Sequence, residues 1–192
     1  LKERHVMDLL RTSLDKRYFL AILQVYNDSQ IRNHSPYKDV RNYINDVMFS
    51  FSKKASADDY LVFKHHPMDR GFIDYQKDIH HFVKKHPQLK GRVFYVHDVP
   101  LPVFLRHGIG MVTLNSTSGL SALIHNMPVK VIGRAHYDIP GITYQGKLAV
   151  FWRQPTPPDA ALFHAYRMYH INVTQIHGSF YSRVNFPALP SR

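Results

Sequence analysis

Five short runs of aliphatic, aromatic and β-branched residues, each followed by a loop and then helical spacing, leave this chain few ways to fold. Tyr18 to Tyr26 (YFLAILQVY) is a continuous apolar run of strand length, the pattern of a strand covered on both faces. Tyr60 to Lys64, Arg92 to His97, Gly110 to Leu114 and Pro128 to Ile132 read as four more strands. Between them, Tyr37 to Ala55 carries apolar residues at Val40, Tyr43, Ile44, Val47, Met48 and Phe51, which is helix spacing. Phe72 to His86 has helical character with many aromatic and histidine residues, and Pro100 to His107 and Leu120 to His125 read as short helices. Strands alternating with helices predict an α/β fold, a Rossmann-like, doubly wound parallel sheet with right-handed crossovers. After Gly133 the pattern breaks into a Pro- and Gly-rich stretch to Pro158, then a helix over about Asp159 to His170.

The chain has 192 residues, 44% of them hydrophobic and 20% charged, enough to bury a sizeable core. No apolar run approaches the roughly 18 residues that cross a bilayer as a helix. Cysteine is absent, which removes disulfides and thiolate metal sites and suits a reducing compartment. The formal net charge is +11 with 14 histidines besides, a surplus that suits an anionic partner. The basic residues are scattered, and there is neither a basic arm nor an aromatic RNA-binding motif, so nucleic acid is not the expected partner. The opening Leu1-Lys2-Glu3-Arg4 has helical spacing and no initiator Met, which reads as the interior of a longer protein.

In open α/β sheets ligands bind beyond the carboxyl ends of the strands. Three polar clusters fall there. Asn27, Asp28, Ser29, Gln30 and Arg32 follow the first strand, Lys64-His65-His66-Pro67 closes the second, and Asn115-Ser116-Thr117-Ser118-Gly119 follows the fourth. Small hydroxyl residues at a helix start cap its free N–H groups, and the same geometry accepts a phosphate; Gly119 would let backbone approach closely. His66, stiffened by Pro67, is an imidazole aimed from a strand end, fit to donate a proton or hydrogen bond to a phosphate leaving group. Asp28 could serve a sugar hydroxyl or acid/base work, and Arg32 could pair with a sugar carboxylate. Each feature has a plainer reading: a helix cap, a histidine held by a loop carbonyl, an Asx loop cap, a solvated charge. His65 and His66, adjacent on extended chain, point opposite ways and do not make a metal pair. No Gly-x-Gly-x-x-Gly, Gly-Lys-Ser/Thr or Gly-x-Ser-x-Gly motif occurs, which argues against nicotinamide enzymes, common ATPases and α/β-hydrolases.

Four stretches in this order, Leu23 to Arg32, Lys64 to Asp69, Asn115 to Leu123 and Tyr137 to Gly146, resemble the capsular polysaccharide synthesis and export family of bacteria. Within it they look most like the KpsS-type β-Kdo transferases of transporter-dependent capsules. The resemblance implies a GT-B glycosyltransferase with two facing Rossmann-like domains, this chain being the C-terminal, donor-nucleotide one. It implies CMP-Kdo as donor, net retention, no bound metal, and a phosphatidylglycerol-type lipid acceptor at the cytoplasmic face of the inner membrane. Carried onto this sequence, His66 would contact or protonate the CMP phosphate, with Lys64 and Pro67 beside it. Ser116, Thr117 and Ser118 would cradle that phosphate, with Asn115 and Gly119 shaping the turn. Gln24, Asp28, Gln30 and Arg32 would line the cleft facing the sugar.

The implied organisation is a helical lead-in over 1–16 from a missing N-terminal domain, the nucleotide-sugar-binding domain over 17–150, and a helix and tail over 151–192. The family pattern also expects an acidic-acidic-Gly motif in the other domain, and none occurs here; Asp58-Asp59 enters a strand at the opposite end. The chain is therefore expected to bind donor without completing turnover. A non-catalytic role in capsule assembly or export, alongside other capsule proteins, is the alternative.

Overall fold

The computed structural model describes residues 3–24, 36, 37, 39–66, 73–97 and 99–173. Its centre is one five-stranded sheet: β1 (Tyr18–Ile22), β2 (Tyr60–Lys64), β3 (Val93–Val96), β4 (Gly110–Thr113) and β5 (Val129–Val131). All pairings are parallel, in the order β3-β2-β1-β4-β5. That order reverses direction between β1 and β4, the switch point of a doubly wound sheet. β1 is buried along its whole length, as a central strand with covered faces must be.

Helices cover both faces. On one side α1 (Glu3–Arg11), α4 (Leu101–His107), α5 (Ser118–Ile124) and α7 (Ala160–Val173) enclose a cluster around Leu10, Leu20, Phe104 and Tyr137. On the other, α2 (Val40–Lys54), α3 (Gln76–Lys85) and α6 (Leu148–Phe151) enclose Phe19, Phe51, Phe63 and Trp152. The buried residues of α2 are the six that its spacing singles out, and Asp39 caps it by accepting from the Arg41 N–H at 2.8 Å. A 3₁₀ turn over Pro87–Leu89 leads from α3 towards β3.

Several boundaries differ from the sequence expectation. The described part of β1 stops at Ile22, where its pairing with Lys64 of β2 ends and its ladder with β4 has already stopped at Ala21. Val25 and Tyr26, expected to continue it, lie outside the described residues. The helix expected from Leu120 begins at Ser118, and the last helix runs on to Val173. Inside the expected loop, α6 was not foreseen, because four residues are too few to show a period. Among the described residues no helix is long and apolar enough to cross a membrane.

Candidate functional site

A cleft of about 350 Å³ opens at the carboxyl ends of the strands. Ile22 of β1 and Leu23 just after it floor the cleft, Lys64 and His66 enter from the end of β2, His97 from the end of β3 and Ser118 from the start of α5. Val99, Pro100 and Leu101 form an apolar wall. The cleft thus spans the β1/β4 switch point and reaches two strands further.

Lys64 is almost fully buried, and its Nζ donates to the carbonyls of His97 at 3.2 Å and His65 at 3.5 Å. An ammonium taken from water needs such oxygens, and a polyanion in the cleft would add charge compensation. Both histidines that follow β2 border the cleft. His66 is half-buried at the cleft. His65 is 2% exposed, with Nδ1 2.6 Å from the Tyr95 hydroxyl and its ring 4.5 Å from that of His97. The Tyr95–His65 bond braces the wall on which His97 rests.

The turn after β4 is built by residues far apart in sequence. Gln24, 6% exposed, accepts from the Asn115 N–H at 3.3 Å through Oε1. The Ser116 N–H donates to Thr113 Oγ1 at 3.3 Å, and the Ser118 N–H donates to the Ser116 hydroxyl oxygen at 3.2 Å. Ser116 therefore caps the start of α5. Thr117 has helical backbone, makes no side-chain cap and is exposed. Tyr137 donates its hydroxyl to the Ser116 carbonyl. Burial first, then Asp138, holds that hydroxyl well above the usual phenol range, so it stays a donor throughout neutral pH. The ring of Tyr137 fills the space beside Gly119, where an added Cβ would lie 2.3 Å from its hydroxyl oxygen.

Of the residues singled out from sequence, the structure brings Lys64, His66 and Ser118 to one cleft. Gln24, Asn115, Ser116, Thr117 and Gly119 shape the turn and do not line it. Asp28, Gln30, Arg32 and Pro67 lie outside the described residues. His97, Tyr95, Thr113 and Tyr137 were missed. His97 ends the run Arg92 to His97, so the strand-end rule that picked out His66 also reaches it. Tyr137 opens the fourth family-like stretch, but nothing local marks it as the partner of the turn after β4.

The neighbour of Tyr137 ties the turn to α7. His136 Nδ1 lies 2.6 Å from the Tyr166 hydroxyl, and the His170 ring lies 5.3 Å from that of His136. Burial first, then His170, hold His136 below its ordinary value of 6.5. The unfolded chain therefore takes up that proton first, and stability should fall as pH drops through and below about 6.5. Urea midpoints at pH 7.5 and 5.5 should differ more for the parent than for His136→Asn; equal differences would remove His136 from the cause.

The family match and the curated relatives point to one family. Residues 2–181 match the family described as "Capsule polysaccharide biosynthesis protein". The chain is 68% identical over 171 residues to the capsule polysaccharide modification protein LipB of Neisseria meningitidis serogroup A, covering 89% of this chain and 41% of that protein. It is 55% identical over 179 residues to the capsule polysaccharide export protein KpsS of Escherichia coli, covering 93% of this chain and 46% of that protein. The chain thus spans less than half the length of these curated relatives. Among solved structures, the Thermosulfurimonas dismutans KpsC, a beta Kdo 2,7 transferase, aligns with a TM-score of 0.49 at 17% identity, covering 91% of this chain and 61% of that one. By the extent of the family match and the identity of its relatives, the chain belongs to the capsule polysaccharide biosynthesis protein family.

Proposed function

We propose that the cleft binds the nucleotide end of a CMP-activated sugar. In this reading the chain is the donor-binding, C-terminal half of a GT-B glycosyltransferase that moves Kdo from CMP-Kdo to a phosphatidylglycerol-type lipid and so starts a capsule linker. One observation carries the reading. Lys64, His66, His97 and Ser118, from the carboxyl ends of three strands, converge on one cleft at the switch point of a parallel sheet. An ammonium, two imidazoles and a hydroxyl suit a phosphate, and the apolar wall of Val99, Pro100 and Leu101 suits the flat face of a base.

The roles follow from these positions. Ser118 offers its hydroxyl to a phosphate oxygen. His66 donates to the phosphate as the bond to the sugar breaks, steadying the leaving group. Lys64 adds positive charge from beneath. The choice of Kdo and of a lipid acceptor rests on the motif resemblance and on the capsule family, not on the cleft. Asp28, Gln30 and Arg32 are assigned to the sugar side on the same ground. Turnover, with net retention and no resident metal, is assigned to the whole protein, whose other half would supply the essential carboxylate. Peripheral attachment at the inner face of the bacterial inner membrane goes with a lipid acceptor.

Calorimetric titration of CMP and CMP-Kdo, with UMP and AMP as controls, tests this. Cytidine nucleotides should bind selectively, His66→Ala should weaken CMP by about 10-fold or more, and His97→Ala by about 5-fold. Equal binding of the three nucleotides, or CMP binding indifferent to His66, would sink the donor reading and leave an assembly role in its place.

A further inference from the structure

The positive charge gathers at the end of the sheet opposite the cleft. In a parallel sheet each crossover helix starts at the carboxyl edge and returns to the amino edge, where the next strand begins. α2 ends in Lys53-Lys54, α3 in Lys84-Lys85 and α4 in Arg106-His107. Lys16 and Arg17 lead into β1 and Lys90 precedes β3, all exposed. The acids of the loops entering β1 and β2 are locally engaged. Asp15 sits 2.9 Å from His107, Asp58 3.9 Å from Arg17, and Asp59 accepts from the Ser56 N–H at 3.2 Å. Among the described residues Lys53, Lys54, Lys84 and Lys85 have no ion-pair partner. Last-turn lysines ordinarily complement a helix dipole, but Lys16, Arg17 and Lys90 stand outside the helices.

An aromatic group accompanies this charge. α2 and α3 run side by side, joined near their starts by Arg41 and Asp78 at 3.1 Å. Near their ends Phe49 is 54% exposed, with Lys53 Nζ 5.9 Å from its ring centroid and the His86 ring 6.5 Å away. His86 in turn stacks on Phe82 at 4.1 Å. An exposed phenyl ring with an ammonium beside it is the chemistry of a bilayer interface, where the ring enters the headgroup boundary and lysines meet lipid phosphates. Lysines spread over two helix ends and the turns before β1 and β3 suit a diffuse anionic surface more than one fixed carboxylate.

We propose that this edge of the sheet, centred on Lys53, Lys54, Lys84, Lys85 and Phe49, docks on an anionic phospholipid surface. The preference for a bilayer over a soluble partner rests on the lipid-directed function proposed above.

Co-sedimentation of the full chain with vesicles of phosphatidylcholine alone or mixed with phosphatidylglycerol tests the proposal, with soluble polyglutamate as a second probe. The parent should bind only the anionic vesicles. Changing Lys53, Lys54, Lys84 and Lys85 to Glu should lower the partition coefficient by about 100-fold, and Phe49→Ser by about 5-fold. Arg134→Glu, a charge reversal at the cleft end of the sheet, should change it less than about 2-fold. A parent that ignores anionic vesicles, or loses them equally with the Arg134 reversal, overturns the proposal; binding to polyglutamate alone does so in favour of an acidic protein. CMP titration of the same variants keeps the two readings apart. Vesicle binding without CMP binding sinks the donor site only, and the reverse sinks the docking surface only.

Discussion

Gly119→Ala is expected to destabilise the fold by about 3 kcal/mol, read as a lower urea midpoint with an unchanged slope. The new methyl would lie 2.3 Å from the Tyr137 hydroxyl oxygen and 2.7 and 2.8 Å from ring carbons. Tyr137 cannot easily yield, because it is buried and its hydroxyl is tied to the Ser116 carbonyl. Either the ring leaves its pocket and the bond breaks, or α5 shifts away from the sheet. Both outcomes disturb the turn that presents Ser118 to the cleft, so weaker CMP binding should accompany the lost stability. In a Tyr137→Ala background the space exists, and the added penalty should fall below about 1 kcal/mol. An undiminished penalty there would mean that the glycine serves α5 itself and not the packing of Tyr137.

Trp152→Ala should be as damaging, at about 4 kcal/mol. The indole is 2% exposed, packs edge-on to Phe19 at 5.0 Å and Phe51 at 5.3 Å, and donates Nε1–H to the Ser50 hydroxyl at 2.8 Å. It joins the segment after α6 to the central strand β1 and to α2 in one contact. Truncation would leave a cavity between three elements that cannot close without moving the sheet. Trp152→Phe should lose about 1.5 kcal/mol, mostly the hydrogen bond and part of the ring area. Similar losses for the two substitutions, by chemical denaturation, would contradict a packing role for the second ring.

Much of the architecture was open to reading along the chain. Strands covered on both faces are apolar throughout, as β1 and β4 are, and five strand-length runs alternating with helical spacing announced a parallel sheet. The six apolar positions that the spacing singles out in α2 are its six buried ones, because a helix with one face on a sheet has a single period; Phe49, off that period, is exposed. The strand-end rule likewise placed Lys64, His66 and Ser118 at the carboxyl edge, where the structure has the cleft, since alternation of strand and helix in a parallel sheet always returns the loops that follow the strands to that side.

What the chain by itself could not decide was which of those loops meet, and what each hydroxyl does there. Ser116, Thr117 and Ser118 look equivalent in sequence, yet the fold spends Ser116 on the cap, leaves Thr117 exposed and turns Ser118 to the cleft. Gly119 reads as a gap for a ligand's approach, and the gap is filled by Tyr137 from a loop beyond β5. Gln24 reads as a cleft residue and serves as the acceptor that holds Asn115. Periodicity reports only the face a residue presents to its own element. Contacts across the sheet depend on strand order, and the order β3-β2-β1-β4-β5 is a property of the packed whole.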